Sequence, residues 1–248
     1  MSNSTLPDYE DPPVIETAMS VEFAPLAEFS VPYFGLFWKT LAPTFQRSDV
    51  HPSLSSQIES FDSPRRQPGL SVEFGLPGDV RCWFTDANGQ SLIQVQNNRF
   101  VYNWRKRDIP YPHYDKLRPR FSAQWENFQQ FVTQNSLGDM RVLQCEITYV
   151  NHLEKGKGWQ NFADLADVIS VWARPEKGQR FLPIPETVTV AAAFQMPEKS
   201  GRLHITLHPA VRPDDGAEVM QLTLTARGKP ARTDTEGILE WMDAGRTW

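Results

Sequence analysis

Cysteine is scarce in this 248-residue chain, and the familiar motifs of catalysis are missing. The two cysteines, Cys82 and Cys145, have no cysteine or histidine at ligand spacing, so the sequence predicts neither a zinc site nor a disulfide framework. No Walker or GxGxxG pattern indicates a phosphate cradle, and no GxSxG pattern indicates a nucleophilic serine. We therefore expect no metal and no cofactor.

Long apolar runs are also absent. No run approaches the roughly 18 residues that a bilayer-spanning helix needs, and the N-terminal sequence MSNSTLPDYEDPP lacks the basic and apolar regions of a signal peptide. These absences predict a cytoplasmic protein without a membrane partner. The net charge of -5 argues against a protein that holds nucleic acid through its overall charge, because such binding neutralises several phosphates.

The composition that remains is globular. Hydrophobic residues make up 40% of the chain, with eight tryptophans and fifteen phenylalanines, so a large core can form. Alternation of apolar and polar residues predicts strands, and apolar residues at three- and four-residue spacing predict helices. The main predicted strands are 14–23, 141–150, 188–194, 203–207 and 220–226, and the main helices are 33–45, 121–132, 162–172 and a last one from about residue 235.

The order of these elements predicts two similar halves. Residues 1–13 are predicted to be a loose arm, residues 14–138 a first α+β half, and residues 139–248 a second half whose C-terminal element is short. Each half is predicted to run strand, helix, several antiparallel strands, helix. The predicted fold class is therefore α+β, with a curved antiparallel sheet backed by helices. This order resembles the tandem TATA-binding-protein-like fold, a resemblance of architecture alone.

Residues 91–107 predict a β-hairpin with two chemically different faces. Asn97 and Asn98 suit a two-residue turn, which pairs Gln96 with Arg99 and so fixes the register. One face is apolar and predicts core, whereas the other is polar. The apolar face carries Ile93, Val95, Phe100, Tyr102 and Trp104, and the polar face carries Gln94, Gln96, Arg99 and Asn103.

The polar face of the hairpin continues on the later strands and has two interpretations. It is either the solvated outer face of a sheet or a surface that recognises a macromolecular partner, for which amides and arginines are well suited because they offer many hydrogen bonds. The candidate partner-binding residues are Gln94, Gln96, Arg99, Asn103, Arg105, Arg107, His204 and Thr206.

Two further patterns bear on function. Residues 105–120 are basic and contain Tyr111 and Tyr114, so they predict either contacts to nucleic acid or a solvated connection leading into a helix. The candidate nucleic-acid contacts are Lys116, Arg118 and Arg120. His204 and His208 have the HxxxH spacing, but on a strand four residues separate the imidazoles by about 13 Å, too far to share one metal ion.

Several short motifs resemble a sporadically distributed bacterial family of functionally uncharacterised proteins of about this length. The matching motifs are PPVIE from Pro12, QxQ with RF and NWR in the hairpin, YPxY from Tyr111, and TYVNH from Thr148. The resemblance implies a full-length match to a bacterial protein and carries no activity. Its sporadic distribution suggests an association with defence.

These patterns favour a non-enzymatic binding or regulatory protein that recognises a macromolecular partner, most readily a protein, through the polar sheet face. The alternative is a nucleic-acid-associated bacterial defence or processing factor that uses residues 105–120. An enzyme with an unfamiliar site at Tyr149, Asn151 and His152 is a third hypothesis, less favoured because a histidine just past a strand end more often has a turn role. The sequence is also compatible with a homo-oligomer.

Overall fold

Nine strands of the protein form one antiparallel sheet in a computed structural model. The structure describes residues 9–61, 80–169 and 183–248. The strand order is β2-β3-β4-β5-β1-β6-β9-β8-β7. The strands are β1 Val14–Phe23, β2 Arg47–Pro52, β3 Val80–Thr85, β4 Ser91–Gln96, β5 Arg99–Arg105, β6 Val142–Glu154, β7 Val190–Gln195, β8 Arg202–Val211 and β9 Glu218–Gly228.

The helices lie over the apolar face of this sheet. In the described part of the chain they are α1 Val31–Leu41, α2 Tyr114–Gln134, the single turn α3 Leu165–Val168 and α4 Thr235–Thr247. On α2, Trp125 and Phe128 pack against Phe100 of β5, with ring centroids 5.6 and 5.3 Å apart. Asp234 accepts a hydrogen bond from the Gly237 amide at 2.7 Å, which fixes the start of α4. No helix of the described residues covers the other face of the sheet.

The predicted hairpin is confirmed. Gln96 pairs with Arg99, Val95 with Phe100 and Ile93 with Tyr102, as a two-residue turn requires. The apolar face is buried in the main core, and Phe100 and Val95 have no exposed surface. The hairpin thus presents its polar side chains on the face of the sheet opposite to α1, α2 and α4.

The prediction of two equivalent halves backed by helices is wrong. The strands form one continuous sheet, because β1 pairs with β6 from Glu16 to Phe23 at its centre. In the described residues only three helices exceed one turn, and the predicted helix at 162–172 is reduced to α3, with Trp172 outside the described residues. Local alternation identified the strands but carried no information on which of them pair across the chain. The coarse α+β assignment remains compatible with the structure.

Candidate functional site

A segment of the chain itself crosses the polar face of the sheet. Residues 53–61, which we call the strap, follow β2 and contact six neighbouring strands in the order β4, β5, β1, β6, β9, β8. Five intervals between strands span roughly 24 Å, whereas five residues reach roughly 17 Å at full extension. Long side chains supply the remaining distance. The strap therefore runs across the strands of the sheet and not along one of them.

Two glutamine side chains bind the backbone of the strap. Gln96 Oε1 accepts a hydrogen bond from the Leu54 amide at 3.0 Å, and its Nε2 donates to the Leu54 carbonyl at 3.1 Å. Gln144 Oε1 accepts from the Glu59 amide at 2.8 Å, and its Nε2 donates to the Gln57 carbonyl at 3.0 Å. A carboxamide offers a donor and an acceptor side by side, as a neighbouring strand does. These contacts hold a peptide backbone without reading its side chains.

A buried ion pair lies between the two glutamines. Arg99 Nη2 donates to Glu22 Oε2 at 2.7 Å, and the two side chains are only 9% and 4% exposed. The other Glu22 oxygen accepts from the hydroxyl of Ser56, and Arg99 also donates to the Ser55 carbonyl at 3.4 Å. The pair therefore links β5, β1 and the strap.

The strap ends in a carboxylate pocket formed by Glu59 and residues of β8 and β9. Arg202 Nη1 is hydrogen-bonded to one Glu59 oxygen, His204 Nε2 lies 2.5 Å from the other, and Arg227 Nη1 lies 4.0 Å from it. Only 9% of the Glu59 side chain is exposed. The Arg202 guanidinium also lies 4.1 Å from the ring centroid of Phe61, a cation–π contact. This pocket reads a side chain, which the glutamines do not.

The pKa of Glu59 reflects these contacts. Burial alone would raise it, but hydrogen bonds from His204 and Arg202, together with their charge, outweigh burial and hold the pKa of the carboxyl below its usual value. Glu59 is therefore ionised at neutral pH.

We expect docking of the strap to weaken below about pH 4. The Glu59 pKa is lower when the strap is docked, so ionised Glu59 stabilises docking above its ordinary pKa, and this contribution is lost as pH falls through the lowered value. Hydrogen-exchange protection of residues 53–61, compared with that of α2 in the same sample, measures it. Glu59→Gln should lose most of the pH dependence, and equal losses in both proteins would contradict the assignment.

The predicted partner-binding residues divide between a covered floor and an open surface. Gln94 and Asn103, 7% and 2% exposed, form a chain in which Gln94 Nε2 donates to Asn103 Oδ1 at 2.8 Å and Asn103 donates to Glu16.

The other predicted residues differ in how far they are covered. Gln96 and Arg99 lie beneath the strap. Arg105 is half-buried beside Trp83, His204 contacts Glu59, and Arg107 and Thr206 are exposed.

The predicted nucleic-acid contacts lie elsewhere. Lys116, Arg118 and Arg120 belong to α2, which packs on the apolar side of the sheet. Arg118 Nε donates to Asp243 of α4 at 2.9 Å, so its charge is engaged within the fold, whereas Lys116 and Arg120 are exposed. Lys116, Arg118 and Arg120 therefore do not share a surface with the polar face.

The three residues of the enzyme hypothesis have structural contacts. Tyr149 packs against the main core, and Asn151 Nδ2 donates to the Leu222 carbonyl of β9 at 3.2 Å. The backbone amide of His152 donates to the Pro13 carbonyl at 3.0 Å. These contacts fix the positions of the three residues within the fold.

Sequence reasoning missed two essential parts of this site. Glu22 alternates with Ser20 and Glu16 on β1, so the alternation of that strand could have placed it on the polar face. The strap itself has no periodicity, and no sequence signal pointed to its position. Glu59 therefore could not have been found from the sequence.

Comparisons with known proteins leave the geometry as the basis for interpretation. No protein-family model, curated protein or solved structure matches the chain. Among the helices of residues 9–61, 80–169 and 183–248, none combines the length and hydropathy of a bilayer-spanning segment.

Proposed function

We propose that the protein is a non-enzymatic binding protein whose polar sheet face recognises an extended segment of a protein partner. The observation that carries the proposal is the pairing of Gln96 and Gln144 with the backbone of the strap. Both glutamines lie on strands of the sheet, Gln96 on β4 and Gln144 on β6, and beneath the strap they are only 3% exposed. Amide groups fixed in this way bind any extended peptide through its main chain, and neighbouring groups supply specificity.

Charge on the central strands favours a peptide over a nucleic acid. Glu16 and Glu22 on β1 and Glu146 on β6 place three carboxylates on the same face. Ion pairs with Glu22 and Glu146 already neutralise Arg99 and Arg227, so these arginines offer little free charge to a polyanion, whereas a peptide backbone needs none. Engagement of Arg118 by Asp243 removes further support from the nucleic-acid alternative.

A strap-replaced variant tests the proposal directly. Residues 53–61 are exchanged for a glycine-serine sequence of equal length, and the variant is screened against a random nonamer peptide library. We expect peptides that bind with dissociation constants of about 1–100 μM, and we expect Gln96→Ala combined with Gln144→Ala to weaken them at least about tenfold.

Gln195→Ala is the matched control. Gln195 is an exposed glutamine on the edge strand β7, where its neighbour on β8 is Arg202. Its loss should change peptide affinity less than about twofold. Failure of the strap-replaced variant to bind any library peptide, or equal weakening by the Gln96→Ala/Gln144→Ala double substitution and by Gln195→Ala, would contradict the proposal.

A further inference from the structure

The Glu59 pocket is built to hold a negative charge. Arg202 and Arg227 have side chains only 11% and 17% exposed, and they converge on one carboxylate together with His204. Glu146 pairs with Arg227 at 2.5 Å and so balances one of the two arginines. Without Glu59 the other guanidinium would remain partly buried and unbalanced, which is costly in a low-dielectric site. The pocket therefore favours any ligand that supplies a carboxylate.

The strap is attached to the sheet without being part of the core. Its aliphatic side chains point outward, with Leu54 and Ile58 37% and 48% exposed. In the described residues no member of 53–61 belongs to either hydrophobic core cluster. The segment forms no strand ladder and is held by side-chain hydrogen bonds and the Glu59 pocket. It can leave the face without opening the core.

On the basis of the proposed function, we propose that the partner segment is acidic, that its glutamate or aspartate occupies the pocket of Arg202, His204 and Arg227, and that the strap is a built-in competitor for this site. Gln144 binds the backbone amide of Glu59, so the pocket takes the side chain of an internal residue and not a chain terminus. The contacts of the strap define the register in which the partner segment would bind. Its backbone would form two hydrogen bonds with Gln96 and two with Gln144, and its carboxylate would enter the pocket at the end.

The tether sets the strength of this competition. A segment joined to the protein by a short linker has an effective concentration of about 1 mM, so a strap with an intrinsic dissociation constant near 10 μM suppresses an external peptide roughly 100-fold. Weakening the strap should relieve the suppression without altering the pocket. As a result, only a partner segment that binds tightly enough to displace the strap can occupy the site.

Fluorescence polarisation with a labelled nonamer tests both parts. The probe is SLSSQIESF, the sequence of residues 53–61, with a second peptide that carries glutamine in place of the glutamate. The receptors are the wild-type chain and Glu59→Gln, which weakens the tethered strap and keeps the pocket. We expect Glu59→Gln to bind the glutamate peptide at least about tenfold tighter than the wild type does, and at least about tenfold tighter than the glutamine peptide.

The two opposite results contradict different parts of the proposal. Equal affinity of the two proteins for the glutamate peptide would overturn the competitor role of the strap, and equal affinity of Glu59→Gln for the two peptides would overturn the acidic specificity. Either result leaves the proposed function intact if library peptides still bind the strap-replaced variant. Circular dichroism verifies folding, and the strap-replaced variant serves as receptor if Glu59→Gln does not fold.

Discussion

Arg99→Ala is expected to lower the free energy of unfolding by about 3–5 kcal/mol. The substitution leaves Glu22, whose side chain is 4% exposed, as a buried carboxylate without its ion-pair partner. Removing one member of a buried pair costs more than the pair contributes, because the remaining charge cannot be solvated. Urea denaturation followed by tryptophan fluorescence measures the loss.

A surface pair provides the control for this prediction. Arg232 bonds Glu240 at 2.8 Å, a distance close to that of the buried pair, but the two side chains are 53% and 59% exposed. Arg232→Ala should therefore cost less than about 1 kcal/mol. Adding Glu22→Gln to Arg99→Ala should recover part of the lost stability because it removes the isolated charge. Equal losses for Arg99→Ala and Arg232→Ala would show that burial of the first pair is irrelevant.

Phe128→Ala should also destabilise the protein by about 3–5 kcal/mol. Phe128 is fully buried at the centre of the aromatic core, with its ring centroid 5.2 Å from Phe37 and 5.3 Å from Phe100. Truncation removes these contacts and leaves a cavity between α2, α1 and the sheet, which the rigid strands cannot close. Thermal and urea unfolding by circular dichroism provide the measurement.

Phe194→Ala is the corresponding control. Phe194 lies on the edge strand β7 and is 43% exposed, so it loses the same atoms without opening an internal cavity. We expect a change of less than about 1 kcal/mol. A loss for Phe128→Ala as small as that for Phe194→Ala would mean that the aromatic cluster is loosely packed.

The hairpin shows what the sequence could predict. A two-residue turn leaves only one register, so the pairing of Gln96 with Arg99 and of Val95 with Phe100 followed from Asn97 and Asn98. Alternation then assigned the apolar face correctly to the core. Both inferences used residues that are close in sequence, where local geometry determines the outcome.

The same reasoning could not predict which strands pair when they are far apart in the sequence. The central pairing of β1 with β6 joins Met19 to Ile147, and no local pattern encodes a partner at that separation. The predicted division into two halves failed at this point. For the site, alternation grouped Gln94, Gln96, Arg99, Asn103 and His204, whereas the strap that covers part of them is an aperiodic segment held by side-chain contacts.

The strap and its carboxylate pocket are synthesised at different times. The strap leaves the ribosome early, but its pocket consists of Arg202 and His204 on β8 and Arg227 on β9. Synthesis from Phe61 to Arg227 takes roughly 10–30 s, and the strap has no carboxylate pocket to enter during that time. The Glu59 end of the strap therefore docks only after β8 and β9 have been synthesised, later than the contacts of the strap with Gln96 and Arg99 become available.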